Sequence, residues 1–192
     1  MSKYNTPENV CFALSVFITE IREYAAAMRA YDNTFQNKPC DNLFMQRSYD
    51  ALWRELLSEI AKIFDSAGKD KNENCTLLRL KELCLNKQYA FWFPNGEDDT
   101  LVQLLDSLFK KYNQLPIKKS RRKQLAHHDL NQTIVGKCIA ISLEEIEKLI
   151  IDITDVFVKI YMRFYLDCVD ISFPDYNILV DRYEMDIKRL VE

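Results

Sequence analysis

Glycine is nearly absent from this chain, whose 192 residues hold three glycines and five prolines. Sheet-rich folds place both residue types at frequent tight turns, so their scarcity argues for long helices and few connections. Gly68, Gly96 and Gly136 lie far apart, which excludes both dinucleotide-binding and P-loop phosphate motifs. The six cysteines (Cys11, Cys40, Cys75, Cys84, Cys138, Cys168) show no CxxC pair and no repeated spacing. Neither a disulfide framework nor a zinc ribbon is expected from them, and a reducing cytoplasm is the simpler location. Most fall in apolar stretches, where a free thiol packs as a small hydrophobe. Long apolar runs are missing too: none approaches the roughly 18 residues that a membrane span requires. The apolar stretch 10–18 is flanked by Glu8 and Glu20 and reads as an amphipathic helix, not a signal peptide.

What remains is an ordinary globular composition, 48% apolar and 29% charged, with a net charge of −3. The protein as a whole is therefore not an electrostatic nucleic-acid binder, and any polyanion site must be a local basic patch.

Helix signals divide the chain. Thr6-Pro7-Glu8 supplies a capping hydroxyl, a proline for the first turn and an acid for the positive end of the dipole. Val10, Leu14, Phe17, Ile21, Tyr24, Met28 and Tyr31 follow as one apolar stripe. A second helix is expected from Asp41 or Asn42, with Met45, Tyr49, Leu52, Leu56, Ile60 and Ile63 inward, stopping before Gly68. A short helix spans Thr76 to about Leu85, and another runs from Asp98 or Asp99 to about Tyr112. Ser142-Leu143-Glu144-Glu145 has the form of a capping box. Behind it Leu143, Ile146, Ile150, Ile153, Phe157, Ile160 and Phe164 recur at spacings of three and four. Ile151 and Val158 lie off that stripe, which places this helix centrally or against a partner. A last helix covers about Tyr176 to Leu190. The expected fold is all-α, an up-and-down helical bundle of four long helices with short accessory helices, forming one domain over residues 1–192.

Against this background residues 118–130, KKSRRKQLAHHDL, stand out. Five of the six residues 118–123 are basic, and both histidines of the chain follow. His127 and His128 are adjacent, about 100° apart on a helix, and no Cys or Glu follows at a recognised ligand spacing, so no metal is expected. No nucleophile is identified for serine-type catalysis. Arginine offers a permanently charged fork for phosphate oxygens, and histidine can take and give a proton near neutrality. RNA carries its own nucleophile in the 2′-hydroxyl, so Arg and His together are a sufficient kit for cutting it without a metal. On spacing alone a solvated charged face is the plainer reading, because charge runs are common. Arg121 and His127 would lie about 240° apart and about 9 Å along a regular helix. Convergence therefore requires either a loop or a second copy across a twofold axis. The aromatic stretch 89–93 could stack bases, although core packing or a dimer contact is the commoner use of such clusters.

RRKQLAHHD resembles the Arg-x(4–6)-His signature of the HEPN superfamily, all-α proteins of which many are metal-independent ribonucleases. More narrowly, it is similar to the abortive-infection subgroup, whose motif reads Arg-Asp-Lys-x-x-Ala-His-x-Asp. Lys123, Ala126, His127 and Asp129 fall in register with Arg121. Residues 60–80, IAKIFDSAGKDKNENCTLLRL, resemble that subgroup's Phe-Asp, polar loop and Leu-rich helix, and the likeness runs over roughly residues 10–165. The resemblance implies a homodimer in which two motifs share a cleft, with Arg121 binding phosphate and His127 transferring a proton. Asp129 would support the imidazole or the turn, and Lys118, Lys119 and Lys123 would hold RNA phosphates. It implies no cofactor, and RNA and an antitoxin protein as partners. Arg122 departs from the subgroup's small polar or acidic residue. It would strengthen RNA binding, serve as the motif arginine itself at a spacing of four, or mark a non-catalytic HEPN-like dimer that binds RNA, nucleotide or protein.

Overall fold

A computed structural model describes residues 6–36, 42–66, 75–86, 99–117, 141–164 and 172–191. Among the described residues there are six helices and no strand: α1 Pro7–Phe35, α2 Leu43–Ile63, α3 Leu77–Leu85, α4 Thr100–Gln114, α5 Leu143–Phe164 and α6 Tyr176–Val191. The all-α reading holds.

Each helix begins on a side chain that accepts an otherwise orphaned backbone N–H. Thr6 accepts from Asn9, Asn42 from Phe44 and Met45, and Thr76 from Arg79. Asp99 accepts from Leu101 at 3.0 Å and Asp175 from Asn177 at 2.8 Å. At α5 the Glu145 amide donates to the Ser142 hydroxyl at 3.2 Å while the Ser142 amide donates to the Glu145 carboxylate at 2.9 Å, a complete capping box.

Helix α1 is the axis of the bundle, packing against α2, α3, α5 and α6. Its core side carries Leu14, Ile18, Ile21, Ala25 and Met28, all fully buried. The stripe expected through Phe17, Tyr24 and Tyr31 is therefore rotated: those aromatics are only partly buried, on the flank of the core. Small residues decide the rotation, because alanines count little in an apolar pattern yet permit the closest helix approach. On another side of α1, Ala26 and Ala30 form a second cluster with Met45, Leu179, Val180 and Ile187, and this seats α6. The α5 stripe is buried as expected from Leu143 to Ile160, while Ile151 faces solvent.

Polar pairs give the directions. Asp99 meets Arg163 while Lys111 meets Asp152 at 2.7 Å, so partner numbers rise on α4 as they fall on α5 and the two run antiparallel. Arg29 meets Glu147, and Arg22 feels the charge of Asp155, so α1 and α5 are antiparallel as well. Arg22 donates to the Pro174 carbonyl at 2.6 Å and Asn33 to Glu184 at 2.8 Å, which sets α1 and α6 parallel. The Phe64 ring stacks on Tyr112 at 4.1 Å and meets Phe109 edge-on, closing the end of α2 onto α4.

Asp99 is the most heavily committed of these residues. It is 2% exposed, caps α4, and takes both 2.7 Å hydrogen bonds of Arg163. Asp99→Ala should cost about 2 kcal/mol or more, the sum of a lost cap and a stranded guanidinium. Thr76→Ala, which removes a cap alone, should cost about 1 kcal/mol. Urea denaturation of the two variants reads the difference, and equal losses would show that the Arg163 pair contributes nothing.

Candidate functional site

Arg121, His127, Arg122, Asp129, Lys118, Lys119 and Lys123 lie outside the described residues, as does the aromatic stretch 89–93. What the structure does fix is the frame on either side of the basic motif. Ile117 is fully buried, and Ile141 and Leu143 belong to the same core cluster. Because α4 and α5 are antiparallel neighbours, the chain leaves α4 and enters α5 at one end of the bundle. Helix α5 enters rigidly there, since the capping box locks its first turn. Hydrogen bonds from the Ser142 amide and then its hydroxyl hold the Glu145 carboxyl below its ordinary range. Glu144 and Glu145 also place negative charge at the positive end of the helix dipole.

Between one and two turns into α5, a polar network crosses three helices. Arg29 of α1 donates from Nε to Glu147 Oε1 at 2.9 Å, and its terminal nitrogen meets the other oxygen. Tyr176, the first residue of α6, donates to Glu147 Oε1 at 2.7 Å. Nearby, Tyr49 of α2 donates to Asp32 at 3.3 Å, and Asp32 lies within the field of Arg29. Four helices are thus tied together at the end from which the basic motif departs.

The electrostatics fit a clamp better than a catalyst. Both Glu147 oxygens are engaged, so neither is free to abstract a proton. The hydrogen bond to Glu147 raises the Arg29 guanidinium further above its already high value, against the opposing effect of burial. Burial, then the bond to Glu147, raises Tyr176, and burial with the Asp32 charge raises Tyr49, so both hydroxyls remain protonated donors. Burial raises the Asp32 carboxyl against the lowering effects of Tyr49 and Arg29. Burial also pushes the Cys75 thiol up, away from a reactive thiolate. Among the described residues no three His, Cys, Asp or Glu side chains gather as a metal-binding group, and no helix is long and apolar enough to cross a membrane.

Sequence reasoning missed this network. Arg29 and Glu147 are adjacent to the core residues Met28 and Ile146, so each sits at the edge of an apolar stripe. That position is the one signal they gave, and it does not say which residue pairs with which.

The frame is that of a HEPN-type helical bundle, and a comparison with family models agrees: the model described as HEPN_AbiU2, AbiU2, matches residues 13–190. The chain belongs to this family, an abortive-infection branch of the HEPN superfamily. The match reaches past the 10–165 span of the resemblance and takes in α6. No curated protein and no solved structure matches the chain.

Two outcomes follow from the clamp. Glu147→Ala leaves a half-buried guanidinium and a tyrosine hydroxyl without their acceptor and should cost about 2–4 kcal/mol, whereas Tyr176→Phe should cost about 1 kcal/mol. Chemical denaturation separates them, and a Glu147→Ala loss no larger than that of Tyr176→Phe would contradict the clamp. The second outcome concerns pH. In the folded protein Tyr49 and Tyr176 keep their protons above the ordinary tyrosine value of about 10, where the unfolded chain releases them. Stability should therefore be unaffected by these groups below that value and fall as pH rises past it. In the Tyr49→Phe/Tyr176→Phe variant that part of the alkaline loss should vanish.

Proposed function

We propose that this protein is a metal-independent endoribonuclease of a bacterial defence or toxin–antitoxin system, acting in the cytoplasm as a homodimer over a single HEPN-like domain. The observation that carries the proposal is family membership over residues 13–190, combined with an Arg121–His127 motif whose flanking residues are anchored in the core. In this reading Arg121 binds the scissile phosphate and stabilises the extra negative charge at phosphorus. His127 removes the proton of the RNA 2′-hydroxyl, whose oxygen attacks phosphorus as the bond to the 5′-oxygen breaks. A second His127, across the twofold axis, protonates that departing oxygen. The products are a 2′,3′-cyclic phosphate and a 5′-hydroxyl, so atoms and protons balance without a cofactor. Asp129 supports the imidazole, and Lys118, Lys119, Arg122 and Lys123 hold flanking phosphates. An antitoxin protein would restrain the site in the resting cell.

Arg122 supports a second reading, a non-catalytic HEPN-like dimer that binds RNA, nucleotide or a partner protein. A second guanidinium beside the motif arginine strengthens phosphate binding with no gain in proton transfer.

The deciding experiment incubates purified protein with cellular RNA in excess chelator, beside His127→Ala. Wild type should produce cyclic-phosphate ends, and the variant should be slower by about 100-fold or more. Equal cleavage by both, or none by wild type, removes the catalytic reading. In the latter case salt-sensitive RNA binding that weakens in Arg122→Ala and Lys119→Ala but not in His127→Ala supports the binding dimer.

A further inference from the structure

Helix α2 buries a carboxylate among its apolar residues. Glu59, between the core residues Leu57 and Ile60, is 5% exposed. Its Oε1 accepts from Lys62, but Oε2 is buried and accepts no hydrogen bond among the described residues. A carboxylate oxygen removed from water without a donor is costly. Lys62 does not repair it, being bonded to the other oxygen through a side chain that is 47% exposed.

Other carboxylates gather around this one. Glu59 lies about 40° from Glu55 and about 60° from Lys62 around the helix axis, so the three share one flank of α2. That flank faces α1. The two helices run antiparallel, since Tyr49 meets Asp32 and the Tyr31 ring while Glu55 and Glu59 act on Tyr24. Glu20, one turn before Tyr24, adds a third carboxylate to the same seam. Burial, and then the charges of Glu20, Glu55 and Glu59, hold the Tyr24 hydroxyl above its ordinary range, with Lys62 acting against them. Neither Glu20 nor Glu55 has an ion-pair or hydrogen-bond partner among the described residues. Three carboxylates against one ammonium leave the seam with a net charge of −2.

Geometry selects the class of ligand. Among the described residues no three His, Cys, Asp or Glu side chains come close enough to hold one metal ion, so these carboxylates do not close on a single centre. They are strung along the seam, from buried Glu59 to exposed Glu55, and they match a cation whose charge is itself strung out. An ammonium group donates hydrogen bonds and accepts none, which is what Glu59 Oε2 lacks. The partly buried Tyr24 ring offers its face to the cation and its aliphatic stem. We infer that the α1–α2 seam is a binding site for an aliphatic polyamine, with one ammonium on Glu59 Oε2 and the others on Glu20 and Glu55. A lysine side chain brings a single ammonium and would leave two carboxylates bare.

This seam is remote from the Glu147 clamp. Glu20 precedes Arg29 by nine residues, half a turn around α1 and about 14 Å along it, so the two sites lie on opposite sides of that helix. The inference is therefore independent of the RNA reading. A ligand that bridges α1 and α2 also stabilises the folded chain as its occupancy rises.

The test is isothermal titration calorimetry of the full chain with spermidine at low salt. Spermidine should bind saturably, and more weakly as salt is added. Glu59→Gln should weaken binding at least about tenfold, through loss of a charge-assisted hydrogen bond. Glu20→Gln/Glu55→Gln, which alters no core residue, should weaken it about fivefold or more. Glu82→Gln, at an exposed carboxylate on α3, should leave it unchanged. Butylamine, with its single ammonium, and magnesium ion should each bind at least about tenfold more weakly than spermidine. No binding of spermidine, or binding indifferent to Glu59→Gln and to the double variant, would overturn the inference. So would butylamine binding as tightly as spermidine, which marks a lysine-type pocket, or magnesium binding more tightly, which marks an ion site. RNA is absent from the titration, so its outcome is read separately from that of the cleavage assay.

Discussion

Everything in this bundle is arranged around the burial of α1. A helix touched by four others must satisfy several packing distances at once, and it does so by side-chain size. Leucine, isoleucine and methionine fill the side that faces the main core, and Ala26 and Ala30 let α6 approach closely on another. An apolar surface this wide cannot be stable in isolation, because its stability comes from the neighbours that cover it. The neighbours in turn have no common core without it. Removing volume at Ile18 or Ile21 would loosen several contacts at once, whereas adding volume at Ala26 would push α6 away.

Apolar packing alone leaves helices free to slide and to choose direction, and here polar pairs remove that freedom. Asp99–Arg163 and Lys111–Asp152 fix the register of α4 on α5, and Arg29–Glu147–Tyr176 fixes α5 and α6 on α1. Such pairs contribute little net stability over an apolar replacement, since each charge loses hydration on burial. Their consequence is positional. The start of α5 can take only one height and one rotation, so whatever precedes Ile141 in the chain enters from a defined place.

The division between what the sequence revealed and what it hid follows the range of the interactions. Caps and capping boxes act within four residues, which is why Thr6, Thr76 and Ser142 are legible as helix starts from their immediate neighbours, and Asn42 and Asp99 to within one residue. The α5 stripe is equally legible because its buried residues are large and regularly spaced. The α1 stripe is legible in part: Val10, Leu14, Ile21 and Met28 are buried as expected, but the share of Ala26 and Ala30 depends on a neighbour about 150 residues away. The Arg29–Glu147 clamp is hidden for the same reason, as an interaction across 118 positions leaves only an off-pattern charge at each end. The basic motif is conspicuous by composition, yet composition says nothing of which histidine meets which phosphate. That part of the candidate site stays a matter of chemistry and family likeness.

These strands meet in the relation between the start of α5 and α6. A run of five cations in six residues repels itself and cannot join an apolar stripe, so it must be held by something it does not pack into. The described residues on either side of it are fixed: Ile117 and Ile141 lie in the core, the capping box sets the start of α5, and Glu147, one turn on, accepts from Tyr176, the first residue of α6. The start of α5, the start of α6 and α1 at Arg29 are therefore coupled through one carboxylate.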